Sequence, residues 1–304
     1  MPRTSDGNCH SWCLNINNSV LPSGEKVDAT NGLTLLVYCF IAHQQPTQVG
    51  PENGSLLLVG GGTPEIGRQF MALAGGIEVP IVVIPTAGEA NEYSQQTPIS
   101  QLLRQLGAKQ VEVLHTNDRE LANSPDFIQP LVTAKGVFFE GGRQWRLVDA
   151  YQGTRTEQMF WQVLEGGGVI GGSSAGATIQ GSFLARGDTR HNQIMVGDHQ
   201  QGFGFLKNVT VDQHTLARNR HYDMFQILQE RPELLGLSID EMTGIVVIGD
   251  QFQVVGESYV LVYDGGFWSR EGWSMKRLPP SHSRFYFLRS GDRYDMAERQ
   301  VIGR

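Results

Sequence analysis

The chain has 304 residues, enough for one large α/β domain or two small ones, and its 40% hydrophobic and 18% charged residues mark a folded chain, not a disordered one. Acidic groups outnumber basic ones by 31 to 24 and no Lys/Arg block occurs, which argues against nucleic acid or an anionic membrane surface as a partner. Cys9, Cys13 and Cys39 all precede residue 40, so the remainder can hold no thiol nucleophile, cysteine metal site or disulfide framework.

Residues 1–50 read as an extension and 51–304 as a single domain. Within the extension, Gly32 to Ala42 (GLTLLVYCFIA) is an apolar run of eleven residues, too short to span a bilayer. It has the length of a signal-peptide core, with Lys26 ahead of it, and equally that of a buried strand. Cytoplasmic and exported locations both stay open.

From Ser55 the pattern becomes regular. Ser55–Gly60 (SLLLVG) reads as a strand buried on both faces and ends in Gly60-Gly61-Gly62. Thr63 and Pro64 open a helical stretch to Ala74, with Thr63 as N-cap. Strands at Pro80–Pro85, Val111–His115, Gly136–Phe139 and Gly168–Ile170 alternate with helical patterns at Ser94–Leu106, Gln144–Gln152 and Thr156–Leu164. This order predicts an α/β fold, a doubly wound and mostly parallel sheet. Beyond Ser174 a helix is expected over 177–185. Short strands at Val209–Val211, Gly244–Ile248, Phe252–Val255 and Val260–Tyr263 then suggest an added antiparallel or mixed portion, with Arg284–Leu288 at an edge.

The strongest local signal is Gly172-Ser173-Ser174-Ala175-Gly176. A G-x-S-x-G segment between a strand and a helix forms a sharp turn that exposes the central hydroxyl, here Ser174. Such a serine needs a base and an orienting acid. His214, at the end of the alternating run VTVDQHTL, is the best base, because catalytic groups collect at strand ends; His115 is its rival. Glu241 in GLSIDEMTG and Asp188 in ARGD are the two serious acids, and Asp212 could share the face of His214. Ala175 N–H supplies one oxyanion donor, and the Gly141-Gly142 turn could bring a second. Gly60-Gly61-Gly62-Thr63 lacks both the spacing of a dinucleotide loop and a Walker lysine, so it is weak evidence for a nucleotide-binding module and reads better as a tight strand-to-helix turn or one wall of a peptide cleft.

Six segments in order resemble the cyanophycinase and aspartyl-dipeptidase group of serine peptidases, family S51. They are Gly60–Gly62 with its helix, Pro85-Thr86-Ala87, FFEGGRQWRL at 138–147, GGSSAGA at 171–177, GFGFLKNVTVDQH at 202–214 and GLSIDEMTGIVV at 236–247. The resemblance covers about residues 54–265. It implies a fold similar to class I glutamine amidotransferases (flavodoxin-like), with serine replacing their cysteine. It also implies Ser174 as nucleophile, His214 as base, Glu241 or Asp188 as third member, and Gly142 and Ala175 as the oxyanion hole. Gln144, Arg143, Arg218 and Arg220 fall where substrate contacts are implied. No metal or cofactor is implied; a small peptide or a cyanophycin-like polymer is the implied substrate, and a homodimer the implied assembly. One position departs. The group commonly has Gly-Gly-Asp-Gln where this chain has Gly141-Gly142-Arg143-Gln144. That reverses a charge beside the cleft and argues for a peptide other than cyanophycin, a polymer of β-linked aspartyl-arginine. A catalytically silent binding protein, or an esterase or amidase on a non-peptide substrate, would share these features.

Overall fold

The computed structural model describes residues 48–62 and 64–303, all within one compact unit. The apolar run at 32–42, the three cysteines and the expected N-cap at 63 lie outside the described residues.

The five runs expected to be strands up to Ile170 form the parallel half of a nine-stranded sheet. They are β1 Ser55–Val59, β2 Pro80–Ile84, β3 Gln110–Val113, β4 Gly136–Phe139 and β5 Val169–Ser173, in the order β1-β5-β4-β2-β3. The apolar continuity of β1, β2, β4 and β5 follows from cover on both faces, whereas the edge strand β3 leaves Gln110 and Glu112 exposed. On one face, Phe70 and Met71 of α1 (Pro64–Ala74) and Leu103 of α2 (Pro98–Gln105) pack on Leu57, Val59, Ile81, Val83 and Phe138. On the other, α3 (Arg119–Ala122), α4 (Gln129–Val132), α5 (Gln144–Tyr151) and α6 (Arg155–Glu165) bring Leu131, Leu147, Tyr151, Phe160 and Leu164 onto Leu56, Leu58, Val82, Ile84 and Phe139. The period-two split of β1, β2, β4 and β5 between these two clusters is that of a pleated ribbon. Register aligns the strand ends: Val59 pairs with Ser173 and Phe139 with Gly172. The turns after β1, β4 and β5 therefore open at one edge, where ligands of parallel sheets bind.

The chain after Ser174 departs from expectation. In place of a helix over 177–185 there is a short α7, Ala175–Thr178, and then β6, Gly181–Phe183. Glycine at 181 decides this locally. A Cβ there would lie 2.8 Å from Val209 O, so bare backbone lets β6 pair with β7 (Leu206–Gln213). The later strands are not one added portion but divide between two sheets. With β8 (Leu235–Ile239), β11 (Tyr259–Tyr263) and β12 (Tyr286–Arg289), strands β6 and β7 form a second, five-stranded sheet ordered β12-β11-β8-β7-β6. Its Val209, Val211, Leu237, Ile239 and Val262 join the same core as Leu56 and Phe139. Strands β9 (Thr243–Ile248), β10 (Gln251–Gly256), β13 (Arg293–Asp295) and β14 (Gln300–Gly303) instead extend the first sheet antiparallel beyond β1. The link 240–242 thus crosses from the second sheet to the first. In the second sheet β7 and β8 are parallel, with Gln213 opposite Ile239, which sets His214 level with the start of that crossing.

Candidate active site

Ser174 stands between β5 and α7 with φ 56° and ψ −116°, a conformation costly for a residue with a Cβ. The flanking glycines are sterically required. A Cβ on Gly172 would meet Gly176 O at 2.0 Å, and one on Gly176 would meet Phe139 O at 2.1 Å. Ser174 N–H donates to Val59 O at 2.8 Å, tying the bend to β1. Since the clash at 176 is with backbone, Gly176→Ala should cost about 3 kcal/mol and lower Tm by roughly 5–10 °C, measured by thermal denaturation. An unchanged Tm would show that the bend can relax.

His214, itself at φ 54°, lies 2.8 Å through Nε2 from Ser174 Oγ and 2.8 Å through Nδ1 from Glu241 Oε1. A carboxylate only accepts, so Nδ1 carries the proton and donates to Glu241. Nε2 is then left to accept from the serine hydroxyl. Burial holds the imidazole below its ordinary pKa of 6.5, helped by the Arg218 and Arg220 charges and opposed by Glu241. The ring is thereby kept neutral, the form in which it can take a proton.

The Gly60–Gly62 turn supports this array. Gly61 bridges Glu241 and accepts Met242 N–H at 3.1 Å, and a Cβ at 61 would lie 2.9 Å from Glu241 Cγ. A Cβ at Gly60 would press to 2.2 Å from Asp240 O. Asp240 in turn accepts from Leu216 and Ala217 N–H at 2.9 and 3.0 Å and from Ser258 Oγ at 2.6 Å, fixing the turn after His214. The turn is thus a close-packing device between the ends of β1 and β8.

Of the other residues singled out, Gly141 lies against the serine, with a built Cβ 3.3 Å from Ser174 Cβ. Gly142, at φ 145°, is pressed against Ala87 O, and Ala175 is buried immediately after Ser174. Asp188 is not brought to His214. Its buried carboxylate accepts from Arg190 Nε and Nη2 and from the N–H groups of 190 and 191. The Arg190 hydrogen bond is the main reason its pKa falls below the usual carboxylate value. Gln144 is fully buried, donating through Nε2 to Ala185 O at 2.5 Å. Arg143, partly buried, donates through Nη2 to Asp188 O. Arg218 is exposed, and Arg220 is buried with Nη1 on Gln213 O and Oε1 at 3.1 and 3.0 Å. His115 is far along the same sheet edge, between Thr86 Oγ1 and Asn91 O at 2.8 and 3.1 Å.

Sequence reading missed a buried charge network that braces the histidine strand. Arg186, only 1% exposed and at φ 57°, donates to both oxygens of fully buried Asp212 at 2.7 and 2.8 Å and to Asp223 at 2.6 Å. Asp212, which could have served His214, is thereby occupied. The available signal was an acid inside an apolar alternating run, since a buried charge demands a partner.

The 184–200 segment is pinned a second time, to α5. His199 bonds Asp198 through Nδ1 at 2.9 Å and Asp149 through Nε2 at 2.8 Å. Both ring nitrogens can donate to carboxylates only when the ring is protonated. Burial lowers the pKa, but the two carboxylates together outweigh it and the net shift is upward. A raised folded pKa stabilises fully below the unfolded value of about 6.5 and is lost as pH rises through the folded one. His199→Gln should therefore flatten the fall of Tm as pH rises above about 6.5, an effect of about 1 kcal/mol or less for so exposed a cluster. Parallel pH–Tm curves for the two proteins would refute the clamp.

An α/β sheet that ends in a strained serine, bonded to a histidine bonded to a carboxylate, has the arrangement of a serine hydrolase. The sequence comparisons sharpen that class. Residues 56–255 match the model of peptidase family S51. Proteins named cyanophycinase are 30% identical, one from Geminocystis herdmanii over 82% of this chain and 96% of its own length, another from Synechococcus elongatus over 82% and 81%. A crystal structure of a peptidase from an acI-B1 actinobacterium superposes with a TM-score of 0.59 at 25% identity, covering 83% of this chain and 98% of that one. A putative peptidase E from Listeria monocytogenes, at 17% identity and a TM-score of 0.51, shares the fold, covering 67% of this chain and 99% of its own. The chain belongs to peptidase family S51 and is a serine peptidase. Among the described residues no helix is long and apolar enough to cross a membrane, and no group of three or more His, Cys, Asp or Glu residues could hold a metal ion.

Proposed function

We propose that Ser174 is the nucleophile of a peptidase acting on aspartyl or β-aspartyl bonds, with His214 as base and Glu241 as its orienting acid. The observation that carries this reading is the unbroken hydrogen-bond chain from Ser174 Oγ through His214 to Glu241. Ser174 Oγ attacks the amide carbon while its proton passes to His214 Nε2. The developing oxyanion is held by the N–H groups of Ala175, which follows the serine, and Gly142, which follows the Gly141 that lies against it. His214 then gives its proton to the leaving amine as the C–N bond breaks, which leaves an acyl-enzyme. A water, deprotonated by the same imidazole, releases the acid and restores the serine. The aspartyl preference rests on the cyanophycinase relatives and on Arg218 and Arg220, whose charges reach His214. The same reading gives the sheet core a class I glutamine amidotransferase-like arrangement, with serine where those enzymes carry cysteine. A screen of α- and β-linked aspartyl dipeptides followed by cyanophycin, with products read by mass spectrometry, tests it. Hydrolysis of none, together with no labelling of Ser174 by a fluorophosphonate, would end this reading.

A further inference from the structure

The turn that carries Gly141 and Gly142 cannot fix itself. Neither residue has a side chain, both are exposed, and among the described residues no acceptor meets either N–H. That leaves both donors free for a ligand beside Ser174, against which Gly141 lies. An oxyanion donor has to be aimed to within about 0.5 Å, so the direction of these N–H groups comes from the two ends of the turn.

At one end Arg143 N–H donates to Ala87 O at 2.7 Å, and at the other Glu140 N–H donates to Ile84 O at 2.9 Å. Ile84 closes β2 and Ala87 lies three residues on, so both bonds run to one neighbouring stretch of chain. Two such points leave the turn free to rock about the line that joins them, which would swing the Gly142 N–H. The Glu140 side chain supplies a third point. It is buried, and it accepts from Ile99 N–H at 2.8 Å and from the Thr97 hydroxyl. Thr97 is the N-cap of α2 and Ile99 its second residue, and α2 is packed on the sheet through Leu103. The anchor is itself held, because Thr97 and Ser100 close a capping box on each other's N–H groups. A carboxylate at this helix end is favoured by the helix dipole, and its burial is met by the two donors. We infer that Glu140 is a positioning residue, which through α2 holds the Gly141-Gly142 turn so that the Gly142 N–H points at the oxyanion.

This inference rests on the proposed peptidase chemistry with Gly142 as an oxyanion donor, and the test keeps the two apart. Glu140→Ala, Glu140→Gln and Ser100→Ala are compared with the native enzyme in kcat and KM on the best dipeptide, in the rate of fluorophosphonate labelling, and in Tm. Glu140→Ala should lower kcat and the labelling rate by about ten- to hundredfold with KM within about threefold, because the aim of the donor matters only as the charge forms. Glutamine at 140 keeps an oxygen for Ile99 N–H and an amide for Thr97 Oγ1, and should bring kcat back to within about threefold of native. Ser100→Ala breaks the capping box and leaves the Glu140 carboxylate in place, so Tm should fall while kcat stays within about threefold. Native kcat in Glu140→Ala, a loss confined to KM, no rescue by glutamine, or an equal loss of kcat in Ser100→Ala overturns the inference. In each of these cases a native enzyme that labels and hydrolyses leaves the peptidase reading standing. A native enzyme that neither labels nor hydrolyses any dipeptide sinks the reading and the inference with it.

Discussion

Ser174→Ala should lower kcat/KM on any substrate the enzyme cleaves by about three to six orders of magnitude, with an unchanged circular dichroism spectrum and a Tm no lower than the native one. The size follows from the role. Without Oγ no acyl-enzyme forms, and what remains is binding and whatever backbone N–H groups do for a water-attack route. The fold should survive because the bend does not depend on the hydroxyl. Its anchors are Ser174 N–H on Val59 O and the two glycines that fit against Gly176 O and Phe139 O. Alanine also bears φ 56° no worse than serine does. Steady-state kinetics on the best dipeptide from the screen, beside thermal denaturation, decide it. Activity within tenfold of native would move the nucleophile elsewhere, and Ser173, one residue earlier and on the strand, would be the first alternative.

How far the sequence could be read depended on how local the determining physics was. The parallel half of the first sheet was legible because its strands other than β3 are short apolar runs with glycine or proline at or just past their ends, and the runs at 55–60, 80–85 and 136–139 lie within a residue or two of β1, β2 and β4. The elbow was legible because its glycines are forced by the tight turn itself. The second sheet was not. Leu235–Ile239 reads as a fragment, and its pairing with Leu206–Gln213 spans a helix, α8 (Met224–Glu230), that gives little periodic signal. Gly181 turned the chain into a strand through contact with Val209, a residue far along the chain. The choice between Glu241, Asp188 and Asp212 was likewise non-local. Each acid has an apt spacing; Arg190, two residues on, holds Asp188 locally, but only tertiary packing reveals that Arg186 holds Asp212 and that Glu241 reaches His214.

Glu241→Gln and Asp188→Asn should therefore have very different consequences. With glutamine at 241 the amide can offer an N–H to Nδ1, which favours the ring tautomer whose proton sits on Nε2, facing the serine. That tautomer cannot accept from Ser174, so kcat should fall by about two to four orders of magnitude with KM little changed. Asparagine at 188 keeps an oxygen for the N–H groups of 190 and 191 and loses only the charge toward Arg190, whose side chain is 75% exposed. Its effect on kcat should stay within about tenfold. The pH profile supplies a second readout. Burial and Arg218 depress the His214 pKa and Glu241 opposes them, so the acid limb of native kcat/KM should lie below pH 6.5. Removing the Glu241 charge deletes an upward influence and moves the limb further to acid, whereas Arg218→Gln deletes a downward one and moves it toward neutral. Loss of activity in Asp188→Asn with Glu241→Gln unharmed, or an acid limb that moves alkaline in Glu241→Gln, would reassign the third member of the array.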